Sequence, residues 1–370
     1  MLNREAMDIV LNPHDAKAVE AADFVKREVG GKVVALSMGP DMKLIPIMKP
    51  LFDAEVSGVD EECVLSDRKM AGSDTLATSY AVSLGVKKVV ERHLSVIDEL
   101  IAAVKKDGYS DALLAKASSL YDANLLPNKV YSSLPSVKGT ILQRFMSGDL
   151  SAQAAVAELQ AVRASLETYI IVTGVKTTDG ETGSVGPQVS EGVSELTNKV
   201  VPHATYVEDF DVDEAAGSVL AARRLGFLLQ TVEMKLPALL TVYEAYRPRE
   251  VEASRQPAVR MNNFKGKLFQ VIKWTASDLA ADEKRLGFQG SPTIVGPGVD
   301  IGKPPVQKFL GKTTVFVKHV DAMEQGGMKV GPFERGDVAD SLLPSAAEKL
   351  RTNGSVGVFD YKMLLEDLFS

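Results

Sequence analysis

The sequence predicts an α/β protein with a doubly wound, mostly parallel sheet and helices on both faces. Two observations carry this. Short apolar runs fit for buried strands, KVVALSMGP (32–40), ECVLSD (62–67) and TYIIVTG (168–174), each end in a loop of small residues. Each loop then opens a stretch of helical spacing, and strand–loop–helix repetition is the pattern of parallel sheets. A third observation modifies the picture. After about residue 200 the pattern changes, and the runs ATYVEDFDVD and PALLTVYEAYRP read as strands of an antiparallel extension.

The elements follow in order. NPHDAKAVEAADFVKREVGG (12–31) opens with Asn12 at a helix N-cap, Pro13 in the first turn and Asp15 at the positive end of the helix. Ala18, Ala22 and Val25 are expected to form its apolar stripe, and Gly30-Gly31 ends it. The strand 32–40 reads as continuous and apolar, covered on both faces, and stops at Gly39-Pro40. A helix over 41–57 is expected to be irregular because of Pro46 and Pro50. The segment 70–94 reads as a loop and then a helix capped by Ser73 or Asp74. Residues 95–166 (IDELIAAVKK, DALLAKASSLYDA, TILQRFM, SAQAAVAELQAVRASLE) have helical periodicity and read as an insertion at a surface loop. SVLAARRLGFLLQTV is compatible with a helix and is left open. From 247 the chain is basic and weakly periodic, and 290–311 is a Gly/Pro-rich extended arm.

Composition limits function. The 370 residues suffice for one large domain or two modest ones. A net charge of −7 argues against a nucleic-acid footprint. No apolar run reaches the length of a membrane span, and MLNREAMDIV lacks a signal-peptide pattern, so a cytoplasmic location is expected. Cys63 stands alone, which excludes an intrachain disulfide, and four scattered histidines give no metal-ligand spacing.

In an open parallel sheet, ligands bind beyond the carboxyl ends of the strands. Three such ends carry candidate chemistry: Ser37, Met38 and Gly39 in SMGP; Ser73, Asp74 and Thr75 in AGSDT; and DGETGSVG (179–186). Helix N-termini favour phosphate and glycine allows its approach. The text is neither GxGxxG nor a Walker loop. Asp179 and Glu181 would repel an adjacent phosphate and suit a ribose hydroxyl or an exocyclic amine. From the residues alone the reading is a nucleotide or phosphorylated ligand; simple turns and caps are the plain alternative.

NPHDAKAVEAA, VVALSMGP, VLSDRKMAGSDTLATSYA, GVKTTDGETGSVGPQVSE, MKLPALLTV, RPR and GSPT, in this order, resemble the β subunit of electron-transfer flavoproteins. The resemblance implies a heterodimer with an α subunit, carrying electrons between flavin dehydrogenases of the acyl-CoA type and another acceptor. It implies a nucleotide held by Asn12, Pro13, His14 and Asp15, by Ser37, Met38 and Gly39, by Asp74, Thr75 and Thr78, and by Asp179, Gly180, Glu181, Thr182, Gly183, Ser184, Val185 and Gly186. In AMP-binding members the last loop reads more like DDDCNQTGQ. DGETGSVGP looks like the electron-bifurcating type, in which FAD replaces AMP and NADH delivers a hydride. A plain one-flavin carrier with structural AMP, or a non-redox adenine-nucleotide-binding protein, is the alternative. The stretch after RPR, about 250–267, is expected to dock the dehydrogenase through Pro257, Val259 and Met261.

Two departures from the family pattern stand out: the 95–166 insertion, and the opening strand. Family members begin with a strand of the type KILVCIKQVPD. Here GKTTVFVKHVDAMEQGGMKVGP (311–332) resembles that segment. The expected organisation is therefore a nucleotide-binding domain over 1–250, a recognition loop and arm over 251–312, and 313–370 as a returning strand plus helices. In this permuted arrangement 313–320 lies between the strands at 32–38 and 168–174, parallel to both, with Phe316 and Val317 near the nucleotide.

Overall fold

In the computed structural model the described residues are 10–52, 58–123, 125–133, 137–178, 180–249, 271–293, 323–325 and 328–330. The permuted strand at 313–320, most of the 251–312 arm and the helices expected after 337 lie outside them, as do Asp179, Phe316 and Val317.

The first helix, α1, spans Pro13–Val29. Asn12 caps it by accepting from the His14 N–H, and Gly30 ends it with φ of 83°. The buried stripe is Ala18, Ala21 and Phe24, one step round from the expected one; Ala22 and Val25 are half-buried. Phe24 meets Phe210 edge-on at 5.8 Å, and Ala21 and Phe24 pack into the core over the second half of the chain with Val207, Leu240 and Tyr246.

Strand β1 (Val34–Met38) leads into α2 (Asp41–Met48), which holds Pro46 within it, and then a 3-10 turn over Lys49–Phe52 containing Pro50; residues 53–57 of the helix expected over 41–57 lie outside the described residues. Strand β2 (Glu61–Leu65) precedes α3, which starts at Thr75 under an Asp74 cap. This helix runs unbroken to Asp107, so the insertion begins as its own second half. The helices α4 (Asp111–Asp122), α5 (Ile141–Met146) and α6 (Ala152–Ser165) complete a small bundle on it. Leu100, Leu113, Ala117, Ile141 and Leu159 form that bundle's separate core.

Strand β3 (Ile170–Gly174) leads to α7 (Val185–Thr197), then β4 (His203–Asp213), β5 (Ser218–Leu225), β6 (Leu228–Lys235), β7 (Ala238–Val242) and β8 (Val271–Trp274). The stretch left open as a helix is the β5–β6 hairpin, antiparallel throughout. Its alternation of buried Val219 and Ala221 with exposed Leu220 is a strand period. One sheet has the order β1-β2-β8, all parallel. A second has the order β3-β7-β4-β5-β6, parallel through β4 and antiparallel beyond. Further on, β9 (Met323–Gln325) and β10 (Met328–Val330) pair as an antiparallel hairpin.

Helices α3 and α7 hold the two sheets to a common end. They run side by side in the same direction: Ser79 bonds to the Val185 carbonyl and to Gln188, and Ser83 to the Val189 carbonyl. A side chain at Gly192 would meet Ser83 Oγ at 2.4 Å, so the helices approach closely only because residue 192 has none. Among the described residues no helix is long and apolar enough to cross a membrane.

One buried group stands against the stability of β2. Glu62 is fully buried and neither carboxyl oxygen has a partner among the described residues, while the neighbouring Glu61 meets Arg92 and His93. Burial pushes the Glu62 carboxyl up to about 8. The folded protein therefore keeps this proton up to about pH 8, whereas the unfolded chain releases it near the ordinary value of 4.5. Between these values stability falls as pH rises, by up to about 1.4 kcal/mol per pH unit. Urea unfolding at pH 5 and pH 8 should show a smaller loss in Glu62→Gln than in the wild type; equal losses would contradict this assignment.

Candidate nucleotide-binding site

The site is built where β3 ends, α1 begins and α7 begins. Asn12 Nδ2 donates to Asp15 Oδ2 and to the Lys176 carbonyl, both at 2.9 Å, and Asn12 Oδ1 accepts from the His14 N–H. Asp15 Oδ1 accepts from the Gly174 N–H at 2.9 Å. The first turn of α1 thus clamps the end of β3. The contact is close: a Cβ on Gly174 would lie 2.5 Å from the His14 carbonyl carbon. Asn12 and Asp15 spend their polar atoms on this clamp and act on the loop by positioning it.

Beyond the clamp the loop turns back on itself. The Glu181 N–H donates to the Thr177 carbonyl at 3.0 Å, and Lys176 pairs with Glu181 at 3.4 Å. Glu181 has φ of 51° and Gly183 has φ of 63°. Left-handed backbone is easy for glycine and uncommon for glutamate. Thr177, Thr178, Gly180, Glu181 and Thr182 are exposed. The Ser184 side chain does not cap α7, so nothing on that side chain covers the first N–H groups of the helix. Together these features form a cradle of exposed hydroxyls and backbone N–H groups at a positive helix end. Such a cradle suits the sugar and phosphate of a nucleotide.

The glycines divide into two jobs. At Gly186 a Cβ would meet Thr241 Cγ2 at 2.6 Å and Thr173 Oγ1 at 3.0 Å, so its glycine serves the packing of α7 on β3 and β7. At Gly180 a Cβ would make an ordinary contact with Thr177 Oγ1 at 3.6 Å, so packing among the described residues does not demand the glycine.

The AGSDT segment starts α3 at the same end of the molecule. Asp74 accepts from the Leu76 and Ala77 N–H groups and from the Thr293 N–H, each at 3.0 Å. Burial raises its carboxyl, but these backbone bonds outweigh it and hold Asp74 below the usual carboxylate range. Its role here is a cap that also ties down the GSPT segment. Ser73 donates to the Met70 carbonyl. Thr75 and Thr78 are half-buried in the first turn, and the Thr75 carbonyl accepts from Ser79, which reaches α7.

Ser37, Met38 and Gly39 end β1. Met38 packs near Leu65 and Trp274, and Gly39 donates to the Leu65 carbonyl. Among the described residues no hydrogen bond joins them to 177–186. Sequence reading missed a second concavity, a pocket of about 340 Å³ lined by Leu76, Tyr80, Lys284, Arg285 and Ser291. Arg285 lies 4.0 Å over the Tyr80 ring there. Only the GSPT text signalled this segment at all.

Comparison with known proteins gives a family likeness. Residues 1–128 match the electron transfer flavoprotein domain. The chain is similar to the electron transfer flavoprotein subunit beta of Clostridium acetobutylicum, at 26% identity over 82% of this chain and 84% of that protein. It is likewise similar to the subunit of the same name from Megasphaera elsdenii, at 26% over 79% of this chain and 76% of that one. Protein FixA of Azorhizobium caulinodans is 27% identical over 79% of this chain and 73% of its own. The domain match and the breadth of the similarity support an electron-transfer flavoprotein β subunit.

The clamp makes a prediction. Asp15→Ala leaves the Gly174 N–H without its acceptor and should cost about 1–3 kcal/mol in urea unfolding. Gly174→Ala should cost at least as much, whereas His14→Ala should change little. A wild-type midpoint for Asp15→Ala would remove the clamp from the account.

Proposed function

We propose that the chain is the small subunit of a heterodimeric electron-transfer flavoprotein, and that its own nucleotide lies on the loop 177–186 at the start of α7. The observation that carries the reading is the uncapped α7 terminus facing an exposed Gly- and hydroxyl-rich loop which α1 clamps in place. In this reading the Val185 and Gly186 N–H groups bind a phosphate oxygen, Thr182 and Ser184 add hydroxyl contacts, and Glu181 takes a ribose hydroxyl. Asn12 and Asp15 keep the loop in register with the helix end. Asp179 belongs to the same loop and lies outside the described residues.

The nucleotide we favour is FAD rather than AMP. The likeness of DGETGSVGP to the loop of the bifurcating type supports a ligand larger than AMP. When bound, FAD supplies reversible redox chemistry at its isoalloxazine ring, and NADH is the hydride donor in the bifurcating reading. The α subunit is the obligate partner, and a flavin dehydrogenase of the acyl-CoA type docks through about 250–267, outside the described residues. A plain carrier with structural AMP is the second reading, favoured if the loop closes over a smaller ligand.

Nucleotides extracted from the native αβ complex decide between these. Two FAD per pair is the expected result. One FAD with one AMP overturns the FAD assignment and leaves the carrier; a single FAD with no second nucleotide overturns the loop assignment itself.

A further inference from the structure

The end of α7 faces a stretch of sheet that the contacts described so far leave unused. Strand β7 alternates between two helices. Leu240 and Val242 lie in the core with Ala21 and Phe24 of α1, whereas Leu239 packs with Val189 and Val193 of α7. Thr241 meets the first turn of α7, since a Cβ on Gly186 would lie 2.6 Å from its Cγ2. The helix therefore runs back along the strand from the level of Thr241 to that of Leu239. Alternation places Tyr243 next on that face. Its N–H donates to the Val207 carbonyl at 2.9 Å, so the parallel ladder continues through it. At the rise of a strand it stands about 6–7 Å beyond Thr241, in front of the uncapped end of the helix.

Strand β4 brings a second ring to the same place. Ala204 pairs with Leu240 and Val207 with Val242, so Thr205 and Tyr206 together stand opposite Thr241. This bulge gives Tyr206 a left-handed φ of 57°, uncommon for a bulky side chain. Thr241 Oγ1 accepts from the Tyr206 N–H at 3.2 Å and fixes the turn. In a regular strand Tyr206 would share the face of Ala204, toward α1. The bulge aims it instead at Tyr243, with ring centroids 5.6 Å apart and planes tilted by 48°. Tyr206 stays 44% exposed and Tyr243 half-buried. Other tyrosines serve the scaffold: the Tyr80 hydroxyl accepts from the Asp282 N–H, and Tyr246 stacks on Phe210 in the core.

We propose that Tyr206 and Tyr243 form an aromatic shelf on which the planar ring of the nucleotide stacks, adenine or isoalloxazine, while the end of α7 holds a phosphate. The inference rests on the loop 177–186 being the nucleotide site. Helix N–H groups hold a phosphate whatever it carries. A ring shelf beside them selects phosphates that carry a flat heteroaromatic ring, because stacking needs a π-face and tolerates any such ring. The shelf thus supplies the selectivity that the exposed hydroxyls and N–H groups of the loop lack.

Titration of the αβ complex, freed of its second nucleotide, tests this with AMP and FAD as probes. Tyr206→Leu and Tyr243→Leu should each weaken binding at that second site about tenfold. Tyr206→Phe and Tyr243→Phe keep the ring and should stay within about twofold of the wild type. A loss that includes AMP assigns adenine to the shelf; a loss for FAD alone assigns isoalloxazine. Unchanged affinity for both probes in the Leu variants overturns the shelf and leaves the loop assignment standing. If the wild-type complex binds neither probe at a second site, the loop assignment fails and takes the shelf with it. A second measurement needs no variant. Nitration of Tyr206 by tetranitromethane, read in the tryptic peptide Val200–Arg223, should slow about tenfold when either probe saturates the complex. An unchanged rate overturns the shelf. So does a Tyr206 that resists nitration without nucleotide, because the α subunit then covers the ring.

Discussion

The close packing of α3 on α7 is the contact on which the arrangement depends. It needs a glycine at 192 opposite Ser83, and serines at 79 and 83 whose hydroxyls reach the α7 backbone. Ser83 also donates to the Ser79 carbonyl, so its hydroxyl is satisfied within its own helix while it touches the next. A larger side chain at 192 would separate the helices, and the loops after β2 and β3 would no longer open at one end. The insertion exploits the same helix: α3 continues past the sheet to Asp107 and becomes the support of a second core.

The glycine-rich stretch after β3 first reads as one device. The structure separates it into scaffold and opening. Gly174 and Gly186 are points of backbone-to-backbone or helix-to-strand contact, and either could be glycine in a protein that bound nothing. Gly180 and Gly183 are different, since a Cβ on the first would meet Thr177 Oγ1 only at an ordinary 3.6 Å and the second turns the chain at positive φ before an uncapped helix. The acidic groups follow the same division. Asp15 and Asp74 are held by backbone N–H groups, whereas among the described residues the Glu181 carboxylate has only the long Lys176 pair and is exposed. A carboxylate in that state can exchange its partner for a ligand hydroxyl at little cost.

Much of this was legible in the sequence where local chemistry decides. The Asn12 and Asp74 caps, the Gly30 stop and the amphipathic helices of the insertion follow from propensity and period. That ATYVEDFDVD and PALLTVYEAYRP are strands was also legible, but they pair parallel to each other, and the antiparallel extension is built by the stretch between them. SVLAARRLGFLLQTV has spacing that serves a helix or a hairpin, and pairing with β4 decided it. Strand β8 is four residues long after a basic stretch, too short for a period to show. The face that α1 buries meets Phe210, nearly two hundred residues away. The half-burial of β1 and β3 was invisible too, because an apolar run announces a buried strand by composition alone. For the site, the sequence marked loops at the ends of strands, but it could not tell that Asn12, Asp15 and Asp74 would be consumed by the scaffold.

The central claim is that the loop before α7 carries the nucleotide. Photolabelling the native complex with an azido-adenine nucleotide, followed by trypsin digestion and peptide mapping, tests it most directly. The account predicts label in the peptide Thr177–Lys199, which holds the loop and the start of α7, and loss of that label when unmodified nucleotide competes. Competable label confined to the segment around Lys284–Pro292, in the pocket beside Tyr80, would contradict it.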